Sequence, residues 1–341
     1  MCWLVPQSLQ PPLSMLIGTL LLLSHQQTAL AEPTECHNSF TTSPEGGQDQ
    51  VFSTPFVSLG LEAPPQPLMP KHGWRTEQEL EAVIHALAED GAVLLEGVVD
   101  PSVALSLRTH FYDDLIRHPN MEEAIRELGA ANNSEAFYVA ERRVGGLRVR
   151  RNGARGRFDL KPFDRRDAGV LVQSLGLDSL FEPFLLPPPL RTLLASVVQA
   201  PTGWRVKSAG ALTTFPHAHT GQWHRDIGDG LFGNESLDLS LPDYYFAALC
   251  PLDETTVEQG SELLLGSHTV LAGGLGEAIS AGRVRRVIAA AKPGDVLFFS
   301  GKVVHRGMPN PTESTRSLVY TVYTAKWFEQ GRDASREMYT G

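Results

Sequence analysis

The chain has 341 residues, of which 42% are hydrophobic and 20% charged, and its formal net charge is -10. This composition is typical of a globular protein with a sizeable core, and the acidic balance argues against nucleic acid as a partner. Three cysteines, Cys2, Cys36 and Cys250, are too few for a disulfide framework, although they leave a single Cys36–Cys250 bridge open.

The first 31 residues contain no Lys, Arg, Asp or Glu, and an apolar run covers 13–23. The run is too short for a stable membrane span, and Ala29-Leu30-Ala31 has the pattern of a signal-peptide cleavage site. We therefore predict a leader over 1–31 that directs the protein to the secretory pathway, either to the ER or Golgi lumen or out of the cell. Since no basic residue precedes the run, the leader of an organelle such as a plastid is the alternative.

Domain boundaries follow from a change in composition. Residues 32–70 hold seven prolines and no Lys or Arg, which predicts a Pro-rich, disordered linker. The folded domain is expected over 71–330, with a C-terminal tail over 331–341. No stable membrane span is expected in it.

The first half of the domain predicts helices. Apolar residues at helical spacing predict a helix over 76–90, with Thr76 and Glu79 as a capping box and Gly91 as its end. A short buried strand is predicted at 92–95, and Pro101 opens a second helix that reaches about 117. A further helical stretch is predicted near 189–199.

From Trp204 onward the sequence changes to short β-type runs separated by Gly, Pro and Asp. Examples are 244–249, 296–299 and 318–323. This pattern predicts a β-sandwich or a small barrel.

A His-x-Asp motif, His224-Arg225-Asp226, is the first candidate for metal binding. If it lies on a strand, residues i and i+2 share a face, so both side chains could bind one metal ion. His305, which follows the apolar run 297–299, is the best third ligand. Two histidines and a carboxylate leave the open positions that non-haem Fe(II) oxygenases need. The pair alone is weak evidence, because a chain of this composition contains roughly one His-x-acid match by chance.

Arg316 supports the same interpretation. It begins the run 316–322, and on a strand it would share a face with Leu318, Tyr320 and Val322. A guanidinium among apolar side chains needs an anionic partner, such as the distal carboxylate of 2-oxoglutarate. Pairing with a structural Asp or Glu is the alternative.

Taken together, these segments resemble the phytanoyl-CoA dioxygenase family. The resemblance covers roughly 77–328 and rests on several motifs in the family's order and spacing. They are an opening helix and strand at 89–99, the first metal motif at 222–226, a central strand and turn at 248–268, and a second metal motif at 293–310.

The resemblance implies a mainly β fold with flanking α-helices around a double-stranded β-helix, a cupin-like jelly roll. It implies Fe(II) held by His224, Asp226 and His305, with 2-oxoglutarate bound by Arg316, O2 as the oxidant and ascorbate as an accessory cofactor. The implied reaction is the oxidation, foremost the hydroxylation, of a C–H bond in a small-molecule substrate, with release of succinate and CO2. Desaturation and ring closure remain open, whereas the Asp226 carboxylate stands where halide enters in halogenating relatives.

Two stretches depart from the family pattern. Residues 244–246 read Tyr-Tyr-Phe where many members carry a Trp near the cosubstrate, so Tyr245 and Phe246 are candidate cosubstrate contacts. Residues 260–262 read Gly-Ser-Glu in place of Gly-Pro-Leu. His217 and His219 precede the first metal motif and are expected to shape the pocket mouth or to face solvent.

An arginine cluster at 142–166 stands out in an acidic chain. One hypothesis is that part of it receives an anionic substrate, and the other is that its members pair with acids elsewhere. Two other functions also stay open from the sequence: a non-catalytic jelly-roll binding module, and a cupin-type metal enzyme that does not use 2-oxoglutarate.

Overall fold

The computed structural model of the protein describes residues 68–328 apart from 74–75, 131–137, 145–146, 153–155, 162–176, 198–202 and 229–230. The predicted leader, nearly all of the predicted linker, Cys36 and the predicted tail lie outside the described residues. Cys250 is buried.

Helix α1 (Glu77–Asp90) begins and ends as predicted. The Thr76 amide donates to Glu79 Oε2 at 2.8 Å, and the Glu79 amide donates to Thr76 Oγ1 at 3.2 Å, which completes the capping box. Gly91 takes a left-handed φ of 75° and ends the helix by donating to Leu87 O. Local sequence signals therefore set both ends of this helix.

The second predicted helix is divided in two. Helix α2 (Pro101–His110) passes into a π-helical segment (Phe111–Ile116). The sequence did not predict this change, because apolar spacing alone does not separate the two helical forms. The other helices are α3 (Pro119–Ala130), α4 (Leu177–Leu185), α5 (Pro188–Val197), α6 (Glu235–Ser240) and α7 (Leu275–Ser280). No helix in the described part of the chain is long and apolar enough to cross a membrane.

Twelve strands are described, and they form two sheets. They are β1 (Lys71–His72), β2 (Ala92–Leu95), β3 (Tyr138–Val144), β4 (Leu147–Asn152), β5 (Arg157–Lys161), β6 (Trp204–Thr214), β7 (Tyr245–Pro251), β8 (Ser261–Leu265), β9 (Arg285–Ala289), β10 (Val296–Ser300), β11 (Val304–Gly307) and β12 (Arg316–Ala325). The large sheet has the order β1-β2-β10-β7-β12-β6-β5-β4-β3, and the small sheet has the order β11-β8-β9. All neighbouring strands are antiparallel except β1 and β2.

The two sheets pack face to face. Leu297 and Phe299 of the large sheet share one buried cluster with Leu263 and Val287 of the small sheet. The helices cover the opposite face of the large sheet, where Phe298 and other strand residues join the main core. The predicted mainly β fold with flanking helices and a jelly-roll core is thus confirmed. The side chains that point inward from the two sheets meet in the space between them.

Candidate active site

His224, Asp226 and His305 come together between the two sheets. Their ligand atoms all lie within 4.8 Å of one another. Each histidine Nε2 is 3.7 Å from Asp226 Oδ1, and the two imidazole centroids are 4.3 Å apart. In the described ranges, this is the one group of three His, Cys, Asp or Glu residues that could hold a metal ion.

The backbone beneath these residues differs from the prediction. The condition of the same-face argument, that His224 and Asp226 lie on a strand, is not met: His224 forms only an isolated bridge with His305, and Asp226 lies in a turn. Each of the two histidine amides donates to the other histidine's carbonyl at 3.0 Å. His305 lies inside its own strand, β11, so the convergence comes from this bridge and the turn and not from strand alternation.

Both imidazoles are oriented by backbone carbonyls. His224 Nδ1 lies 2.9 Å from Gln222 O, and His305 Nδ1 lies 3.0 Å from Val303 O. Since a carbonyl only accepts, Nδ1 carries the hydrogen in the neutral ring and Nε2 presents its lone pair towards Asp226.

Burial also sets the protonation states. It lowers the pKa of His224 to about 3, with smaller contributions from His305 and Arg157, so this ring is neutral near pH 7. Burial raises the pKa of Asp226, and the adjacent His305 opposes that change. A half-buried carboxylate beside two imidazoles would be stabilised by a divalent cation, and this donor set suits Fe(II).

Arg316 lies at the start of β12, and the structure adds Arg157, whose charge acts on His224, at the start of β5. Both pair in register with Thr214 of β6, so all three occupy one row on one face of the large sheet. Arg316 Nη2 donates to Met308 O at 2.8 Å, and Arg157 Nη2 donates to the same oxygen. Arg157 also donates from Nη2 to Gly307 O at 2.9 Å.

Within the described residues, no carboxylate lies within ion-pair distance of either guanidinium. Asp253 acts electrostatically on Arg316, but its oxygens already accept from Arg108 Nε at 2.6 Å, from Tyr112 Oη and from the Ser317 amide at 3.0 Å. Burial lowers the pKa of Arg316 to about 10. Burial, together with the charge of Arg316, lowers the pKa of Arg157 to about 9. Two adjacent cations without an acid against them could hold an anion.

Phe246 and Tyr245 lie on opposite faces of the large sheet. Phe246 is on the opposite face of the large sheet from Arg316 and stacks on Phe298 at a centroid distance of 5.0 Å, so it is not brought to the site. Tyr245 shares the face of Arg316 but packs against Gly301, where an added Cβ would come within 2.5 Å of its ring.

His217 and His219 are exposed and lie outside the metal group. His217 Nε2 lies 3.2 Å from a Glu313 carboxylate oxygen. Together with Thr220 and neighbouring residues, the two histidines line a shallow cavity of about 530 Å³.

The arginine cluster divides by strand register. Arg148 and Arg150 of β4 pair with Lys161 and Asp159 of β5. These two residues are four and two positions from Arg157, so they share its face of the sheet. Arg148 and Arg150 therefore lie on the sheet face of the candidate site. Arg151 lies on the opposite face. Arg142 is exposed and donates to Glu127 at 2.9 Å. For this arginine the structure therefore shows the second hypothesis, pairing with an acid elsewhere in the chain. Arg155, Arg165 and Arg166 lie outside the described residues.

A jelly roll that brings two histidines and one carboxylate together between its sheets is typical of non-haem iron oxygenases, including those that use 2-oxoglutarate. The sequence model for phytanoyl-CoA dioxygenase (PhyH) matches residues 87–318. The chain belongs to this family. It is therefore an enzyme of the Fe(II)- and 2-oxoglutarate-dependent class, as the sequence predicted.

Several solved structures are similar to this chain at low identity. The 2-oxoglutarate-dependent epimerase SnoN from nogalamycin biosynthesis is 17% identical, with 73% of this chain and 83% of that chain covered and a TM-score of 0.45. AviO1 from Streptomyces viridochromogenes Tue57 is 18% identical over 75% and 99%, with a TM-score of 0.47. HygX from Streptomyces hygroscopicus, solved with nickel and 2-oxoglutarate, is 16% identical over 76% and 91%, with a TM-score of 0.45. No curated protein matches the chain significantly.

Proposed function

We propose that the enzyme hydroxylates a C–H bond of a small anionic molecule, with Fe(II) held by His224, Asp226 and His305. The observation that carries this proposal is the meeting of three ligand atoms within 4.8 Å, with both Nδ1 atoms tied to carbonyls. When bound, Fe(II) would supply the redox chemistry that turns 2-oxoglutarate and O2 into succinate and CO2 while the substrate is oxidised. Asp226 keeps a carboxylate in the ligand set, which supports hydroxylation over halogenation.

Arg316 and Arg157 together bind the distal carboxylate of 2-oxoglutarate in this proposal. Their guanidiniums share Met308 O, so they lie next to each other, and Met308 is only three residues beyond His305. A carboxylate between them would offset two buried positive charges and accept charge-assisted hydrogen bonds. The pair holds the cosubstrate by one end and leaves its other end directed to the metal group.

The remaining work of the chain is orientation and the exclusion of water. Phe299 is buried, and its ring centroid lies 4.6 Å from that of His305, so it closes one side of the imidazole to solvent. Asp226 and His224 stay partly open, with side-chain exposures of 22% and 23%, which leaves the substrate a route to the group. A site closed on one side and open on the other suits a small molecule.

The anionic character of the substrate is inferred from β4 and β5. Arg148 and Arg150 lie on the same sheet face as Arg157, one strand further from the metal group. Arginines on that face raise the local concentration of an anion and can clamp a carboxylate or phosphate. Acidic small molecules are therefore the first substrates to test.

The experiment is a screen of small carboxylates and phosphates with purified enzyme, Fe(II), 2-oxoglutarate and O2. Succinate is quantified against the uncoupled background, and mass spectrometry follows each candidate substrate. The proposal predicts substrate-dependent succinate with a product heavier by one oxygen atom. A product that has lost two hydrogens instead would replace hydroxylation by desaturation or ring closure. If no succinate forms, coupled or uncoupled, with iron bound, the proposal is wrong.

We also propose that the chain enters the secretory pathway and is cleaved after Ala31. The support is the charge-free, apolar N-terminal segment that ends in Ala29-Leu30-Ala31. Mass spectrometry of the protein from its native source should then find a mature N-terminus near Glu32. An intact Met1 in cytosolic protein would contradict this.

A further inference from the structure

Glu262 is a fully buried carboxylate outside the metal group. It lies on β8 and is 0% exposed. Arg306 Nε of β11 donates to one of its oxygens at 2.7 Å, and Arg286 Nε of β9 donates to the other. Burying such a group is costly and adds little net stability by itself, which calls for another reason for its presence.

Arg306 connects this carboxylate to Trp223. The Arg306 guanidinium carbon lies 4.4 Å from the centroid of the Trp223 ring, which is within stacking distance. Trp223 immediately precedes His224, and Arg306 immediately follows His305. The row Glu262–Arg306–Trp223 therefore joins the two segments that carry the histidines.

This row lies behind the metal group. Along β11, Val304 and Arg306 point to one face and His305 points to the other. Trp223 packs in one buried cluster with Val304 and Leu264, so it lies on the Arg306 side. If the segment rotated about its own axis, a shift of Trp223 on one side would move the adjacent His224 on the side of the metal group.

The segment that carries His224 is not a strand. Its backbone meets β11 through the His224–His305 bridge and through the Gly221 amide, which donates to Gly307 O at 2.9 Å. Side-chain restraint comes from both neighbours of His224. The buried Arg225 donates to Ser267 O at 3.0 Å and to Val270 O, and the Arg306 guanidinium stacks on Trp223.

We propose that Glu262 is a positioning residue for the metal group: by holding Arg306 against Trp223, it fixes the relative orientation of His224 and His305. This inference rests on the proposed iron site. Glu262 itself touches neither metal nor substrate. Its effect must therefore appear in metal affinity and ligand geometry before any turnover takes place.

The test compares Co(II) binding and the Co(II) ligand-field spectrum in four proteins: wild type, Glu262→Gln, Arg306→Lys and Glu277→Gln. Glu262→Gln removes the charge with little change in shape. Arg306→Lys keeps the charge but loses the planar stack on Trp223. Glu277→Gln is the matched control, since it removes the same charge from an exposed pair with Arg283 at 3.3 Å.

We expect Glu262→Gln and Arg306→Lys to bind Co(II) about 10- to 100-fold more weakly, as outer partners of metal ligands do, with a shifted spectrum. Glu277→Gln should match wild type. Thermal melting of the metal-free proteins separates this from a purely structural role, which would lower the melting temperature but leave Co(II) affinity and spectrum unchanged in the folded protein. That result would overturn the inference.

The other outcomes are also decisive. If Glu262→Gln does not fold, Arg306→Lys decides by the same two readouts. If wild type itself binds no Co(II), the proposed iron site is wrong and the positioning role falls with it, whereas normal binding by wild type and both variants refutes the positioning role alone.

Discussion

Arg157 and Arg316 donate to one and the same backbone oxygen, that of Met308. Two guanidiniums on a single neutral acceptor repel each other, and the charge of Arg316 helps to lower the pKa of Arg157. An anion between them would remove that repulsion. This is the physical basis for assigning both to the distal carboxylate of 2-oxoglutarate.

Arg316→Gln should weaken 2-oxoglutarate binding while the metal still binds. Loss of a charge-assisted pair costs about 2–4 kcal/mol, or roughly 30- to 1,000-fold in affinity. Calorimetric titration of the Mn(II)-loaded protein measures this without turnover. Arg283→Gln, which removes a charge at an exposed site, is the control and should bind normally. Normal 2-oxoglutarate affinity in Arg316→Gln would refute the role.

Gly307→Ala should act through Arg157. An added Cβ at Gly307 would lie 2.1 Å from Arg157 Nη1, so the guanidinium must move. We expect both Gly307→Ala and Arg157→Gln to weaken 2-oxoglutarate binding by roughly 10-fold or more, and the double variant to be no worse than Arg157→Gln alone. Gly276→Ala, where a Cβ meets nothing within 4 Å, is the control. Additive losses in the double variant would show that Gly307 acts independently of Arg157.

Sequence reasoning reached the residues that carry short local signals. The capping box, Gly91 and the two metal motifs each lie within a few residues, so α1, the three proposed ligands and Arg316 could be predicted. Arg157 could not, because its place depends on the register of β5 against β6, which sets it across Thr214 from Arg316. Nothing in the sequence distinguishes Arg157 from the other arginines of the 142–166 cluster.

The His-x-Asp motif does not lie on a strand, as the same-face argument required, for a related reason. Alternating residue types do not reveal whether the backbone finds a partner strand. Here the chain pairs only at the His224–His305 bridge and then turns at Asp226. Since the partner lies in β11, a long way along the chain, tertiary contacts decided the local structure.

Arg148 and Arg150 should make substrate binding dependent on salt. An electrostatic field is screened over about 8–10 Å at moderate ionic strength, so the KM of an anionic substrate should rise with salt while kcat changes little. Replacing both with Gln should flatten that rise and leave 2-oxoglutarate binding unchanged. The control replaces the exposed Arg126 and Arg142 with Gln and should keep the wild-type slope. If KM rises with salt as steeply in the Arg148/Arg150 double variant as in wild type, these arginines have a structural role only.

Gly91 should be critical for stability at the junction of α1 and β2. It has a φ of 75°, and an added Cβ would lie 2.5 Å from His268 Nδ1 and 2.6 Å from Val303 Cγ2. Gly91→Ala therefore combines left-handed strain with overpacking and should lower the free energy of unfolding by about 2–5 kcal/mol.

Gly282→Ala separates the two causes. Gly282 has a φ of 71° but open space around it, so only the strain applies, at about 1–2 kcal/mol. Urea denaturation of both variants measures the difference. Equal losses would show that the contacts around Gly91 relax without cost.

The most direct test of the central claim is the visible charge-transfer band that a chelated keto acid gives with Fe(II) in the absence of O2. Anaerobic wild type with Fe(II) and 2-oxoglutarate should show the band, and His224→Ala, Asp226→Ala and His305→Ala should each lose it. His85→Ala, an exposed histidine on α1, should keep it. A full band in His305→Ala would contradict the assignment of His305 as the third ligand, and its absence in wild type would contradict the site as a whole.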